Sequence, residues 1–113
     1  GKGGAIVNVS SGSAYIGNPG TQVMYAISKG AVNSLHIGLS QEVAGEGIRV
    51  NAVSPGMTAT EMVTEEAAAT NVGRIPMGRL GEPEEIAEAI VWLMSDRAAY
   101  TAGANIRVAG GRP

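Results

Sequence analysis

Three short runs rich in β-branched residues, separated by two long helical patterns, constrain the fold of this chain most strongly. The runs occupy residues 5–10, 48–53 and 104–108. The first is almost wholly apolar and is flanked by glycines, which is typical of a strand buried on both faces of a parallel sheet. The order strand–helix–strand–helix–strand, with short connections, predicts an α/β structure in layers.

Two long helices are expected between these runs. The first occupies about residues 23–44 and ends at Gly45 and Gly47, because glycine readily ends a helix. The second starts within 81–85, where a proline suits the first helical position and acidic side chains suit the first turn, and it continues to Met94. Residues 11–20 are rich in Ser, Gly, Asn and Pro and are predicted to form a loop, while weaker signals after the second strand predict a short helix at 61–70 and a loop at 71–79.

Composition excludes several classes of function. Ten acidic residues outnumber eight Lys and Arg residues, and the basic ones are scattered singly, so a nucleic-acid partner is not expected. The absence of cysteine excludes a disulfide framework and a thiolate metal site and suits a reducing cytoplasm, and a single histidine cannot make a zinc site by itself. No apolar run approaches the ~20 residues of a membrane span, and no signal peptide is visible. We therefore expect a cytoplasmic globular protein with no metal and no membrane partner.

Several reactive or bulky side chains are expected to serve the structure rather than bind a ligand. His36 lies in the middle of a helix, where a structural or surface role is favoured. Trp92 falls on the apolar face of the last helix, which favours the core or a subunit interface. Three methionines could line a pocket with soft apolar surface or fill gaps in the core: Met57, Met62 and Met77.

The stretch that carries the strongest chemical signal is Tyr25-Ala26-Ile27-Ser28-Lys29, with Ser11 fourteen residues before the tyrosine. On a helix, Tyr25 and Lys29 lie one turn apart on the same face. An ammonium group beside a phenol favours the phenolate, and a tyrosine in that environment can transfer protons near neutral pH. A nearby serine hydroxyl could hydrogen-bond a substrate oxygen. The same spacing also occurs by chance on many helices, so this pattern alone leaves both interpretations open.

Five segments, in order along the chain, resemble the C-terminal half of a short-chain dehydrogenase/reductase, a tyrosine-dependent oxidoreductase. They are residues 6–11, 25–31, 48–56, 75–87 and 100–111, and the resemblance covers essentially all 113 residues. It implies the C-terminal part of a Rossmann-type doubly wound parallel sheet, with three parallel strands and crossover helices. Residues 1–113 would then form a single partial NAD(P)-binding domain that holds the catalytic half.

The resemblance also implies a role for each site residue. Tyr25 would be the general acid/base, Lys29 would stabilise its phenolate and hydrogen-bond the nicotinamide ribose, and Ser11 would hold the substrate oxygen. Hydride would pass directly between NAD or NADP and a carbonyl or secondary alcohol, so no metal would be needed. The turn and loop after the second strand would contact the nicotinamide end of the cofactor through Pro55, Gly56, Met57, Thr58 and Thr60.

The chain departs from the family pattern in several respects. The glycine-rich loop that cradles the pyrophosphate is absent, as are the residue that senses the adenosine ribose and the asparagine of the catalytic set. The choice between NAD and NADP therefore stays open. The spacing from Ser11 to Tyr25 is one residue longer than in many members, which keeps Ser13 as a competitor for the serine role. Ala109 stands where the family usually has an aspartate.

The missing features all belong to the first half of family members, so the chain reads as a piece of a longer protein. Without the rest, its first strand would be an open apolar edge, and helix faces would be exposed. We therefore expect that these 113 residues do not form a stable monomer: either the rest of a longer chain covers these surfaces, or an assembly does, and a homo-oligomer, a dimer or tetramer, is expected. The predicted function is that of an NAD(P)-dependent oxidoreductase. The alternative is a catalytically silent remnant that acts as an oligomerisation or interaction module.

Overall fold

The computed structural model describes residues 3–61 and 63–113, so Met62, one of the three predicted pocket methionines, lies outside the described residues. Two short 3-10 helices, Ala44–Glu46 and Asp96–Ala98, follow α2 and α4. The strands and α-helices, in chain order, are β1 Gly4–Val9, α1 Ser13–Ile16, α2 Val23–Val43, β2 Ile48–Pro55, α3 Glu65–Val72, α4 Pro83–Met94 and β3 Asn105–Val108.

The three strands form one parallel sheet in the order β1-β2-β3. In its register, Val53 of β2 lies opposite Val9 on one side and Ile106 on the other. The central strand is the most buried element, with residues 50–54 all inaccessible to solvent. The predicted α/β fold with three parallel strands is confirmed.

Helix α4 and the sheet enclose the apolar core. Val53, Ile86 and Leu93 form its centre, and partly buried side chains from β1 and β3 pack against them. The end of α4 is fastened to β2 because Arg49 donates hydrogen bonds to the carbonyl oxygens of Leu93 and Ser95, at 2.8 and 3.0 Å. Trp92, on the same helix, is 39% exposed and so lies at the surface of the chain rather than in this core.

Helix α2 contributes little to that core. Of its 21 residues only Ala26, His36 and Ser40 are buried. The His36 side chain is 1% exposed, and its Nδ1 lies 3.4 Å from the carbonyl oxygen of Val32, in keeping with the structural role that was favoured.

The start of α4 is fixed by a charged capping arrangement. Glu85 accepts two hydrogen bonds from the guanidinium of Arg79, at 2.8 Å each, and a third from the backbone N–H of Glu82. These hydrogen bonds, first from Arg79 and then from Glu82, favour the carboxylate and lower the pKa of Glu85 to about 2. Because the pair is exposed, it sets the helix start more than it adds stability.

Two of the weaker predictions were wrong in detail. The 11–20 segment contains helix α1, whose first turn is held by a hydrogen bond from the N–H of Ser13 to Ser11 Oγ and which Gly17 ends at φ 73°. Helix α3 begins at Glu65 rather than at 61, because Thr64 caps it by accepting the N–H of Ala67 at 3.1 Å. Both errors concern local hydrogen bonds of a hydroxyl side chain, Ser11 in the first case and Thr64 in the second.

Large apolar side chains are exposed at several places on the chain, including β1, α2 and α4. On β1, which pairs only with β2 among the described strands, Ile6 and Val9 are 44% and 46% exposed. On α2, Met24 and Ile27 are 77% and 60% exposed. The radius of gyration is 15.2 Å, compared with about 13 Å expected for a compact domain of this length. No described helix has the length and apolar character needed to cross a bilayer.

We expect the isolated 113-residue chain to self-associate, because its open strand edge and apolar helix face can be covered only by other molecules. Sedimentation velocity at micromolar concentration should show species heavier than the 11.4 kDa monomer. Replacing Ile6 by Lys should reduce the association, since a charge on an edge strand discourages pairing. A clean, folded monomer of the unmodified chain would contradict the prediction.

Candidate active site

The carboxyl ends of β1 and β2 bring Ser11 close to the turn that follows β2. Parallel pairing continues past the end of β1, because Ser10 donates its N–H to the carbonyl oxygen of Val53 at 2.8 Å and Gly12 donates to that of Pro55 at 3.2 Å. Ser11 therefore lies between two anchored residues, beside Pro55. This edge of an open parallel sheet is where ligands bind in α/β proteins.

Tyr25 and Lys29 lie together on the first two turns of α2. The Nζ of Lys29 lies 5.7 Å from the centroid of the Tyr25 ring, within the range of a cation–π contact. The same Nζ donates a hydrogen bond of 3.0 Å to the carbonyl oxygen of Val9, the last residue of β1. Ser10 Oγ in turn donates to the carbonyl oxygen of Lys29, at 3.2 Å. These bonds hold the start of α2 against the carboxyl end of β1, while the tyrosine stays 43% exposed.

A cleft of about 550 Å³ opens at this edge of the sheet. Ser11, Pro55, Gly56 and Met57 line it, so the structure groups four of the predicted site residues around one space. The other four lie outside its wall: Tyr25, Lys29, Thr58 and Thr60. Among the described residues, the candidate site therefore consists of this cleft and the Tyr25–Lys29 pair outside its wall. The Ser11 hydroxyl bonds to the backbone of Ser13, and it makes no hydrogen bond to Tyr25 in this part of the chain.

Both candidate serines face the same cleft, but their oxygen atoms have different partners. Ser11 Oγ accepts the backbone N–H of Ser13 at 3.2 Å. Ser13 Oγ accepts the side-chain N–H of Asn18 at 2.7 Å, and this bond ties the Ser13 hydroxyl to the segment that follows helix α1. Each hydroxyl keeps its own hydrogen for donation to a ligand oxygen.

The turn after β2 carries backbone donors that have no partner within the described chain. Gly56 donates its N–H to the carbonyl oxygen of Val108, and the hydroxyl of Thr58 donates to the carbonyl oxygen of Gly56 at 3.1 Å. The N–H groups of Met57 and Thr58 donate to no described carbonyl. Two free backbone donors therefore lie side by side at the carboxyl end of β2. Thr60 is exposed at the surface of the following loop.

A guanidinium group that the sequence analysis did not single out lies under the loop that carries Ser11. Arg107 of β3 stacks on the ring of Tyr15 at 5.2 Å and donates through Nη2 to the carbonyl oxygen of Arg112, at 2.9 Å. Its Nη1 is buried and has no hydrogen-bond partner among the described residues. A charged residue within an apolar strand was the signal that could have identified it.

The methionines line a second, smaller cavity of about 100 Å³. Met57 and Met77 contribute to its wall together with Ile75 and Val108, so these two line apolar space beside the site. No group of three His, Cys, Asp or Glu residues that could hold a metal ion occurs among the described residues.

Comparisons with known proteins identify relatives over nearly the whole chain. A family model described as enoyl-(acyl carrier protein) reductase matches residues 1–112. The uncharacterized oxidoreductase YgfF of Escherichia coli (strain K12) is 53% identical over 99% of this chain and 47% of that protein. The 3-oxoacyl-(acyl-carrier-protein) reductase FabG of Thermotoga maritima is 47% identical over 96% of this chain and 45% of its own length.

A solved structure gives the same result for the fold. The crystal structure of a 3-oxoacyl-(acyl-carrier protein) reductase from Brucella melitensis matches with a TM-score of 0.90 and 38% identity, over 96% of this chain and 41% of that one. The chain thus spans less than half the length of the relatives that it matches.

Gly56→Ala tests how tightly the turn after β2 is packed. A Cβ at Gly56 would lie 2.8 Å from both Cα and Cβ of Ala109, so β3 would have to move away. We expect a loss of roughly 1–3 kcal/mol in the free energy of unfolding, as for other overpacked sites, measured by urea unfolding of the full-length gene product.

Gly73→Ala is the matched control. Gly73 has φ −66° and no atom within 4 Å of an added Cβ. Its replacement should leave the free energy of unfolding unchanged or raise it by up to about 1 kcal/mol. Equal urea midpoints for the Gly56→Ala and unmodified proteins would show that the turn is not constrained by this contact.

Proposed function

The chain belongs to the short-chain dehydrogenase/reductase family, and we propose that the full-length protein transfers a hydride between NAD or NADP and a carbonyl or secondary alcohol, with Tyr25 as the general acid/base. The observation that carries the proposal is the Tyr25–Lys29 pair. Its ammonium group lies 5.7 Å from the tyrosine ring and is fixed by its bond to Val9, immediately before the loop that carries Ser11.

Proton transfer is the part of the reaction that this chain's own residues supply. In reduction, the hydroxyl of Tyr25 donates its proton to the carbonyl oxygen of the substrate, whose carbon becomes that of a secondary alcohol. The nearby ammonium of Lys29 stabilises the phenolate that remains. The hydroxyl of Ser11 donates a hydrogen bond to the same substrate oxygen and orients it. Oxidation of the alcohol runs through the same groups in reverse.

When bound, NADH or NADPH would supply the hydride in reduction, and the oxidised cofactor would accept it in oxidation. The free N–H groups of Met57 and Thr58 support a carboxamide contact at the turn formed by Pro55 and Gly56. In the same proposal, Thr60 adds a hydroxyl for the carboxamide or a phosphate, and Lys29 also hydrogen-bonds the nicotinamide ribose.

The enzyme is favoured over the catalytically silent remnant for two reasons. The relatives named above are described as an oxidoreductase and as reductases. The chain also retains Ser11, Tyr25 and Lys29 together, and a remnant has no physical need for all three.

The proposal also covers domain organisation and assembly, with residues 1–113 as one partial NAD(P)-binding domain. The full-length protein would be a homo-oligomer, a dimer or tetramer, that covers exposed apolar residues of α2 and α4 such as Ile27 and Val91.

Tyr25→Phe should abolish most of the activity, because it removes the transferable proton and leaves the ring. The expected loss in kcat is about 10²- to 10⁴-fold, the usual contribution of a positioned general acid. The measurement is NADH or NADPH oxidation by the full-length gene product with a panel of ketones. Tyr100→Phe, at a side chain that is 97% exposed, is the control and should leave the rate unchanged. Activity that survives in Tyr25→Phe would refute the mechanism.

Ser11→Ala and Ser13→Ala decide which hydroxyl holds the substrate oxygen. Ser11→Ala should lower kcat about 10- to 100-fold, the cost of one lost hydrogen bond that strengthens in the transition state. Ser13→Ala should have a smaller effect, since Ser13 Oγ is engaged by Asn18. The opposite order of effects would transfer the role to Ser13.

A further inference from the structure

The cleft that contains Ser11 has an unusual charge. Three arginines line it, and none of the ten acidic residues of the chain does so. The chain as a whole has a formal net charge of −2, so the side chains of the cleft carry positive charge although the chain is negative overall. A concave wall whose charged side chains are all of one sign focuses the electrostatic potential and attracts ions of the opposite sign. The three are Arg74, Arg107 and Arg112, here called the arginine cluster.

The arginine cluster has no counter-ion within the part of the chain that the structure describes. The ion pair recorded there, Arg79–Glu85, belongs to the start of α4 and not to the cluster. Arg107 uses one nitrogen to bond the carbonyl oxygen of Arg112, while its buried Nη1 has no acceptor. A buried N–H of a charged group without an acceptor is costly, and structural arginines normally avoid this cost by pairing with carboxylates.

The three arginines differ in how they can act on a ligand. Arg107 is packed between Gly12 and the ring of Tyr15, so its guanidinium is fixed. It holds the backbone of Arg112 by its 2.9 Å hydrogen bond and adds positive charge behind the cleft. Arg74 is exposed and Arg112 is half-buried, so these two side chains can reach a ligand from the cleft wall.

We propose that the arginine cluster binds an anionic group of the carbonyl substrate, a carboxylate or a phosphate. A guanidinium fork matches either group with two parallel N–H···O bonds. The inference rests on the proposed oxidoreductase function, since Ser11 in the same cleft marks where the substrate carbonyl lies. The cleft volume of about 550 Å³ is within the usual range for small-molecule sites, and the residues assigned above to the nicotinamide end, Pro55, Gly56 and Met57, form only part of its wall.

Matched substrate pairs test the proposal on the full-length gene product. Levulinate and its methyl ester differ only in the carboxylate, and hydroxyacetone phosphate and hydroxyacetone differ only in the phosphate. We expect at least one anionic member to exceed its neutral partner in kcat/KM by about 10- to 100-fold, the range of charge-assisted hydrogen bonds. The pair that shows the larger ratio identifies the anion.

Variants then assign the preference to the cluster. Arg74→Gln and Arg112→Gln should each lower the anionic-to-neutral ratio toward one, mainly through a higher KM for the anionic substrate. Arg97→Gln, at an exposed arginine outside the cleft, should leave the ratio unchanged. Ratios near one in the unmodified protein, or an equal loss for both members of each pair, would overturn the anion site. Either result would leave the proposed function intact if Tyr25→Phe still abolishes hydride transfer.

A binding measurement keeps the test decisive where no hydride transfer is found with any ketone. Inorganic phosphate, titrated by isothermal calorimetry, should bind the unmodified protein more tightly than Arg74→Gln or Arg112→Gln by about 10-fold. Absence of hydride transfer together with this difference would refute the proposed function and retain an anion site. Equal phosphate affinity in all three proteins would overturn the anion site itself.

Discussion

The parallel pairing of β1 with β2 is the constraint on which the rest of the structure depends. Its register places Val9 opposite Val53, and two further backbone bonds from Ser10 and Gly12 carry the pairing beyond the strand. Ser11 is thereby held against the turn at Pro55. Because Lys29 donates to the carbonyl oxygen of Val9, the same strand end also fixes the start of α2. A slip of one residue in this register would move the serine away from the turn and turn every β1 side chain to the opposite face of the sheet.

The fold was predictable from the sequence because its signals are local. β-Branched runs identified the strands, helical spacing placed Tyr25 and Lys29 on one face, and the start of α4 followed from Pro83 and its acidic neighbours. Helix α1 was missed because it depends on the hydrogen bond between Ser13 and Ser11 in a segment whose composition indicates a loop. The start of α3 has a signal in the sequence, because Thr64 is followed by Glu65 and Glu66 and a threonine before acidic residues is typical of a helix start.

The site was predictable only in part, because its remaining features depend on contacts between residues distant in sequence. Arg107 lies 95 residues after Gly12 in the sequence, and it contacts Gly12 and Tyr15 only because β3 pairs with β2. No periodicity of a single segment contains that information. The same applies to the free N–H groups of the turn after β2, which become donors without partners only when the neighbouring backbone bonds are known.

The C-terminal strand links the proposed anion site to the loop that carries Ser11. Ser54 Oγ donates to the side-chain oxygen of Asn105 at 2.7 Å, and Asn105 donates to the hydroxyl of Tyr15 at 2.8 Å, so β3 is bonded to both β2 and α1. Arg107, two residues further along, packs beneath Gly12, where an added Cβ would lie 2.7 Å from Nη1.

The absence of a side chain at Gly12 is therefore what allows a fixed positive charge to lie directly behind Ser11. In the proposed anion site, a rigid guanidinium in that position would add fixed positive charge near the serine hydroxyl, without the entropy cost of ordering a flexible side chain. Because one strand positions both the charge and the loop, a substitution that shifts β3 should alter binding and orientation of the substrate together.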